Sequence, residues 1–278
     1  MSTRGTSASK RPGRFLASEL RLIIGRRRNQ AGLLVLAAVP IIMAIAGAVW
    51  GSSGRGADLM SLAQGNGVLV PLAALGVEIA MFLPLAIAML SGDAIAGEAN
   101  QGTLRYLLTV PVGRTRILAV KYLSLCIGAL IGVGTIVVAG LIAGGLLFGL
   151  GPLTTLSGTQ LDLGNTVMRL LVGVAYLTCA LGAIAAVGLF VSTLTEQPIA
   201  ATIAVMIFVI VCTILGAIEQ LAWLHPWLIT SHLMAFADVL RDPLPLDNML
   251  RGLGIFASYA VVFWLSAWAR FTTKDITN

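Results

Sequence analysis

Apolar residues recur along nearly the whole chain in runs of about twenty, separated by short polar connections. The runs cover residues 31–50, 68–90, 123–150, 170–191, 199–218 and 252–268. At about 1.5 Å of rise per residue, each is long enough to cross the hydrocarbon core of a bilayer. In that environment every backbone N–H and C=O must be bonded within the segment, so the runs predict helices. The expected fold class is all-α: a polytopic membrane protein with one six-helix transmembrane domain over 31–268 and a cytoplasmic tail at 269–278.

Ahead of the first run, Leu16, Leu20, Ile23 and Ile24 fall at i, i+4, i+7 and i+8, flanked by Arg14, Arg21 and the consecutive Arg26, Arg27 and Arg28. This pattern predicts an amphipathic interfacial helix over 14–28, lying on the inner leaflet. Residues 1–13, rich in Ser, Thr, Gly and basic side chains, are expected to form a disordered cytoplasmic tail. A cleaved signal peptide is the competing reading of the first run. Its basic region would be unusually long and five more spans follow, so a retained anchor is expected.

Composition sharpens this picture. Of 278 residues, 58% are hydrophobic and 11% charged, where soluble domains carry about 25% charged residues. A water-soluble enzyme is excluded. The formal charge of +6 comes from basic residues at the ends of apolar runs, which points to topology and membrane lipids rather than to nucleic acid. Counted loop by loop, residues 1–30, 91–122 and the tail carry fourteen Lys and Arg, against four on the other side at Arg55, Arg169, Arg241 and Arg251. The positive-inside rule then places both termini in the cytoplasm of a cell-membrane protein.

Smaller features add detail. Cys126, Cys179 and Cys212 each lie within an apolar run with no second ligand at metal spacing, so they read as small lipid- or core-facing residues. The third run carries Gly128 and Gly132, Gly140 and Gly144, and Gly145 and Gly149, each pair four apart. That spacing allows close helix approach within the chain or across a dimer seam. The external segment 219–251 contains Trp223, His225, Pro226, Trp227, Pro243 and Pro245, which predicts short interfacial or re-entrant helices. His225 and His232 are seven apart, but Pro226 argues against one continuous helix through both.

The richest polar stretch lies between the second and third runs, where Asp93 and Glu98 precede Gly102, Thr103, Leu104, Arg105, Tyr106, Leu107, Leu108, Thr109, Val110 and Pro111, with Arg114, Arg116 and Lys121 beyond. Residues 103–109 predict a short helix with Leu104, Leu107 and Leu108 on one face, ended by the turn at Pro111 and Gly113. An apolar ridge bordered by charge suits a groove on a soluble partner. Asp93 could cap a helix start, Glu98 and Arg105 could pair, and Arg114, Arg116 and Lys121 could snorkel at the inner end of the third span.

In Glu98, Gly102, Thr103, Leu104, Arg105, Leu107, Leu108, Pro111, Arg114 and Lys121 the chain resembles the permease subunits of type-2 ATP-binding-cassette (ABC-2) exporters. The match covers about a tenth of the chain. The resemblance implies that the segment around 102–108 is a coupling helix seated on an ABC ATPase subunit. It also implies an interfacial helix before the first span, re-entrant external helices between the fifth and sixth, and a second permease subunit, itself or a homologue. The chain has no phosphate-binding Gly-x-x-x-x-Gly-Lys-Ser/Thr loop, so the expected cofactors, ATP and Mg, belong to the partner ATPase and this chain is not itself an enzyme.

Within the second run, Glu78 lies about 15 Å deep, near the bilayer midplane. A carboxyl there should face the protein interior or a hydrated path. With Pro71 and Pro84 it is the one feature favouring an ion-coupled secondary transporter, which needs intramembrane acids or broken helices at the midplane. An integral-membrane enzyme lacks a nucleophile or metal motif, and a non-transporting adaptor is the remaining alternative.

Overall fold

The computed structural model describes residues 12–50, 66–100, 102, 113–155 and 158–273. The expected disordered tail at 1–13 therefore falls almost wholly outside the described residues, as does the predicted helix at 103–109. The N-terminal helix α1 (Pro12–Gly25) is separated from α2 (Arg27–Trp50) by the single non-helical residue Arg26. Asn29 donates through Nδ2 to the Ile23 carbonyl at 2.8 Å, satisfying one acceptor in the last turn of α1.

A 3-10 turn (Gly67–Leu69) opens α3 (Val70–Glu78), which is followed by α4 (Phe82–Asp93) and the short α5 (Ala96–Asn100). The chain continues with α6 (Arg114–Phe148), α7 (Leu163–Leu194), α8 (Pro198–Ala217) and α9 (Leu246–Thr273). Helices α2, α6, α7, α8 and α9 are long and apolar enough to cross a membrane, and the bent pair of α3 and α4 makes a sixth if counted as one span. The protein is thus helical and multi-spanning.

The predicted helix over 14–28 is broken at Arg26, α7 and α9 begin at Leu163 and Leu246 rather than near 170 and 252, and three further elements differ from the sequence expectation. The run at 68–90 is not one straight helix but is bent by 61° between Glu78 and Phe82. Pro84 has no N–H for the Ala80 carbonyl and its ring crowds that carbonyl, which accounts for a break one turn upstream. Helix α6 begins at Arg114 rather than near 123, because its first polar turns remain helical after Gly113. Between α6 and α7, Leu153–Thr154 and Gln160–Leu161 form a two-residue antiparallel hairpin that pairs Leu153 with Leu161. Strands this short leave no alternating pattern to detect.

Helix α7 is the centre of the bundle, packing against α4, α6, α8 and α9. Its run Ala183, Ile184, Ala185 and Ala186 is fully buried, and these mostly small side chains let its neighbours approach on several sides. On α6, a Cβ at Gly140 would lie 2.7 Å from the Pro71 Cα, and one at Gly144 would collide with the Gly67 carbonyl. The glycine spacing of the third run thus serves packing within the chain. Phe190, Phe208, Tyr259 and Phe263 form an aromatic cluster joining α7, α8 and α9, with centroids 5.9–6.3 Å apart.

The segment between α8 and α9 is built from 3-10 turns at Glu219–Leu221, His225–Trp227 and Ile229–Leu240. Pro226 separates the two histidines as expected. His225 Nε2 lies 3.1 Å from the Ile218 carbonyl and His232 Nε2 lies 3.1 Å from the Pro226 carbonyl. No group of metal-ligating side chains occurs among the described residues.

Candidate functional site

The polar segment that follows α4 is anchored at one end of the bundle by charges drawn from five elements. Asp93, in the last turn of α4, accepts from Arg26 Nη1 at 3.0 Å and from Arg28 at the start of α2. It therefore ties α4 to the bend between α1 and α2 and does not cap a helix start. Five residues on, Glu98 of α5 accepts from Lys121 Nζ at 2.5 Å, and Glu19 of α1 lies 3.7 Å from the same nitrogen.

Lys121 is only 3% exposed. Rather than snorkelling to the membrane edge, it turns inward and is shared by two carboxylates. Such a cation needs its partners, because burial strips water from all three groups. Glu19 lies on the stripe of α1 formed by Leu16, Leu20 and Ile23, the side that packs toward α6, while Leu22 and Ile24 remain exposed. The amphipathic pattern thus includes an acidic residue turned toward the protein.

A third tie comes from the last turn of α7, just ahead of its short connection to α8. Ser192 is fully buried. Its Oγ accepts from Ile95 N at 3.1 Å and Ala96 N at 2.8 Å, and donates to the Gly92 carbonyl at 2.8 Å. A remote hydroxyl thereby satisfies the first amides of α5. Gly92 also allows α8 close approach, since a Cβ there would lie 2.7 Å from Thr202 Oγ1.

Helix α5 stops at Gly102, whose φ of +68° is the left-handed conformation that commonly ends a helix, with its N–H bonded to the Ala99 carbonyl at 3.0 Å. On the far side of the segment, Arg114 Nη1 donates to the Thr272 carbonyl at 2.8 Å, and Trp268 Nε1 donates to Thr115 Oγ1 at 2.8 Å. Residues 103–112 are thus bracketed by α5, fastened to α6, α7 and α1, and by the start of α6, fastened to the end of α9. Thr103, Leu104, Arg105, Leu107, Leu108 and Pro111 lie outside the described residues. Of the ten loop residues that carry the resemblance, Glu98, Gly102, Arg114 and Lys121 are described.

Sequence reasoning missed Glu19, Arg26, Arg28 and Ser192 as members of this network. Their partners are 65 to 102 positions away in the chain, so periodicity carries no signal for them. Asp93 and Lys121 were visible as polar residues, but their partners were not.

Glu78 sits apart from this cluster, at the end of α3 and at the 61° break, with the twelve-residue α4 intervening. It is fully buried, and neither carboxyl oxygen has a hydrogen-bond partner among the described residues. At the opposite end of the bundle, Arg169 of α7 donates to the carbonyls of Val239 at 3.0 Å and Arg241 at 2.6 Å, and to Asp242 Oδ1 at 2.8 Å. Thr159 in the hairpin loop bonds the other Asp242 oxygen. The Arg169 hydrogen bond, supported by that from Thr159, holds the Asp242 carboxyl below its ordinary value of 3.8.

Compared with known proteins, residues 66–277 match the model of a family described as "Protein of unknown function (DUF2705)". No curated protein matches the chain.

Proposed function

We propose that this chain, which belongs to the DUF2705 family of proteins of unknown function, is the membrane-spanning permease subunit of an ABC-2 exporter. In this reading ATPase subunits on a separate chain bind and hydrolyse ATP with Mg, and a second permease subunit completes the transport path. The segment 103–112 is the coupling element seated on the ATPase. It lies in the cytoplasm together with both termini, α1 rests on the inner leaflet of the cell membrane, and the 3-10 turns of 219–240 re-enter the outer face.

The observation that supports this reading best is the fastening of both flanks of 103–112 to the transmembrane helices. A push on that segment is carried through Glu98 and Lys121 to α6 and α1, through Ser192 to the end of α7, and through Arg114 to the end of α9. Helices tied this way tilt as bodies rather than letting the load dissipate in a loose loop. The four-residue separation of Leu104 and Leu108 supplies the apolar ridge for a groove.

Affinity purification of the full chain from its native membrane should bring down a polypeptide carrying a phosphate-binding Walker-A peptide, identified by mass spectrometry, with ATP hydrolysis in the complex. Leu104→Asp and Leu108→Asp should each remove that subunit while leaving insertion intact. ATPase association unchanged in both variants contradicts the proposed contact.

A second reading, an ion-coupled secondary transporter, draws on the buried Glu78, without a hydrogen-bond partner among the described residues, at a broken helix. It predicts transport in vesicles driven by an ion gradient without ATP and abolished in Glu78→Gln. The exporter reading predicts transport that requires the ATPase.

A further inference from the structure

Arg26, Arg27 and Arg28 stand at the bend between α1 and α2, where the membrane surface is expected. Asp93 pairs with Arg26 and Arg28, so two of the three guanidinium groups share one carboxylate and the four side chains together keep a net charge of +2. Arg27 is exposed and takes part in no ion pair among the described residues. With Asn100, Pro198 and Ile199 these arginines border an open basin of ≈ 530 Å³. The first turn of the twenty-residue α8 also faces it, uncapped by the Gln197 side chain, which adds the partial positive charge of a helix N-terminus.

A second feature decides what kind of anion this basin suits. Arg28 also stands on the rim of an apolar crevice between α1, α2, α4 and α6, walled by Ile24, Leu33, Leu36, Met89 and Leu90. One arginine therefore borders both a cationic basin and a hydrocarbon-lined groove running along α2. A small soluble anion would use only the first. An amphiphile with an anionic headgroup uses both, and arginine matches phosphate geometry with two parallel hydrogen bonds.

We propose that the Arg26–Arg28 bend is a binding site for one anionic membrane phospholipid, its phosphate held by Arg27 and Arg28 and one acyl chain laid in the crevice beside α2. The proposal rests on the basic end of the bundle lying at a membrane surface, and not on the ATPase. It is therefore tested on the chain alone, where the absence of an ATPase partner leaves the outcome unaffected.

The test is native mass spectrometry of the detergent-purified full chain titrated with phosphatidylglycerol or phosphatidylcholine. Wild type should bind phosphatidylglycerol at least tenfold more tightly than phosphatidylcholine. Arg27→Gln should weaken phosphatidylglycerol binding about fivefold and leave phosphatidylcholine unchanged. Because Arg27 leaves the Asp93 pairs intact, this loss is separable from misfolding. Arg21→Gln, on an exposed part of α1, should have no effect. Equal affinity for the two lipids, an unaltered Arg27→Gln, or displacement of phosphatidylglycerol by millimolar inorganic phosphate would overturn the proposal, the last result marking a free-anion site.

Discussion

Lys121 shows how a single side chain holds the base of the proposed coupling segment. It meets Glu98 at 2.5 Å and Glu19 at 3.7 Å while 3% exposed. Removing one partner of a buried ion pair leaves the other charge without water or counter-ion, at a cost of about 3–5 kcal/mol. Lys121→Met should accordingly lower the thermal midpoint of the purified chain by several degrees, and Glu19→Gln, at the longer contact, should act more mildly than Glu98→Gln. Equal effects would show that the two carboxylates share the cation evenly. Glu78 invites the opposite substitution, because its two buried oxygens have no partner among the described residues. Glu78→Leu replaces an unsatisfied polar group by an apolar one of similar size and should raise stability by about 1–3 kcal/mol in a melting experiment. A destabilised Leu variant would show that the carboxyl is bonded in the working protein.

The Arg169–Asp242 lock adds a pH dependence at the other end of the bundle. Asp242 is held below its ordinary value by the Arg169 hydrogen bond, so its contribution is complete above the unfolded value and is lost as pH falls through the lowered one. Between about pH 6 and pH 3, wild type should lose more stability than Asp242→Asn, which has no carboxyl to protonate. Parallel curves for the two proteins would contradict the assignment.

Among the elements, the long helices were legible because an uninterrupted apolar run of twenty residues in lipid has few ways to satisfy its backbone other than a helix. The bend in the second span was not foreseen, although its cause, Pro84, is visible in the sequence. A proline within an apolar run is also tolerated inside a continuous helix, as Pro40 in α2 shows. The close approach of α6 to α3 was half legible. The spacing of Gly140 and Gly144 announced a small-residue face, but only the fold reveals that Pro71 and Gly67 fill it. Gly144→Leu should disrupt folding far more than Gly134→Leu on the same helix, because a Cβ at Gly134 meets nothing within 4 Å. Comparable yields of monodisperse protein for the two variants would contradict this packing. The ion-pair and hydroxyl ties around α5 were illegible for a different reason: they join residues distant in sequence, where no local rule operates.

For the whole molecule, the arrangement places the network of Asp93, Glu98 and Lys121 at one end of the bundle and the Arg169 lock at the other. If the first end is cytoplasmic, single cysteines at Arg116 and Gln220 in a background lacking Cys126, Cys179 and Cys212 should respond oppositely to a membrane-impermeant maleimide in intact cells. Gln220→Cys should be labelled and Arg116→Cys protected; the reverse would invert the topology and remove the coupling segment from the cytoplasm. Whether 103–112 seats an ATPase is read from the ATP hydrolysis that co-purifies with the full chain. Wild type should retain a Walker-A subunit in near-stoichiometric amount with measurable ATPase activity, and Leu104→Asp should retain neither while remaining in the membrane. Wild type and Leu104→Asp that carry the same ATPase complement, or none at all, would contradict it.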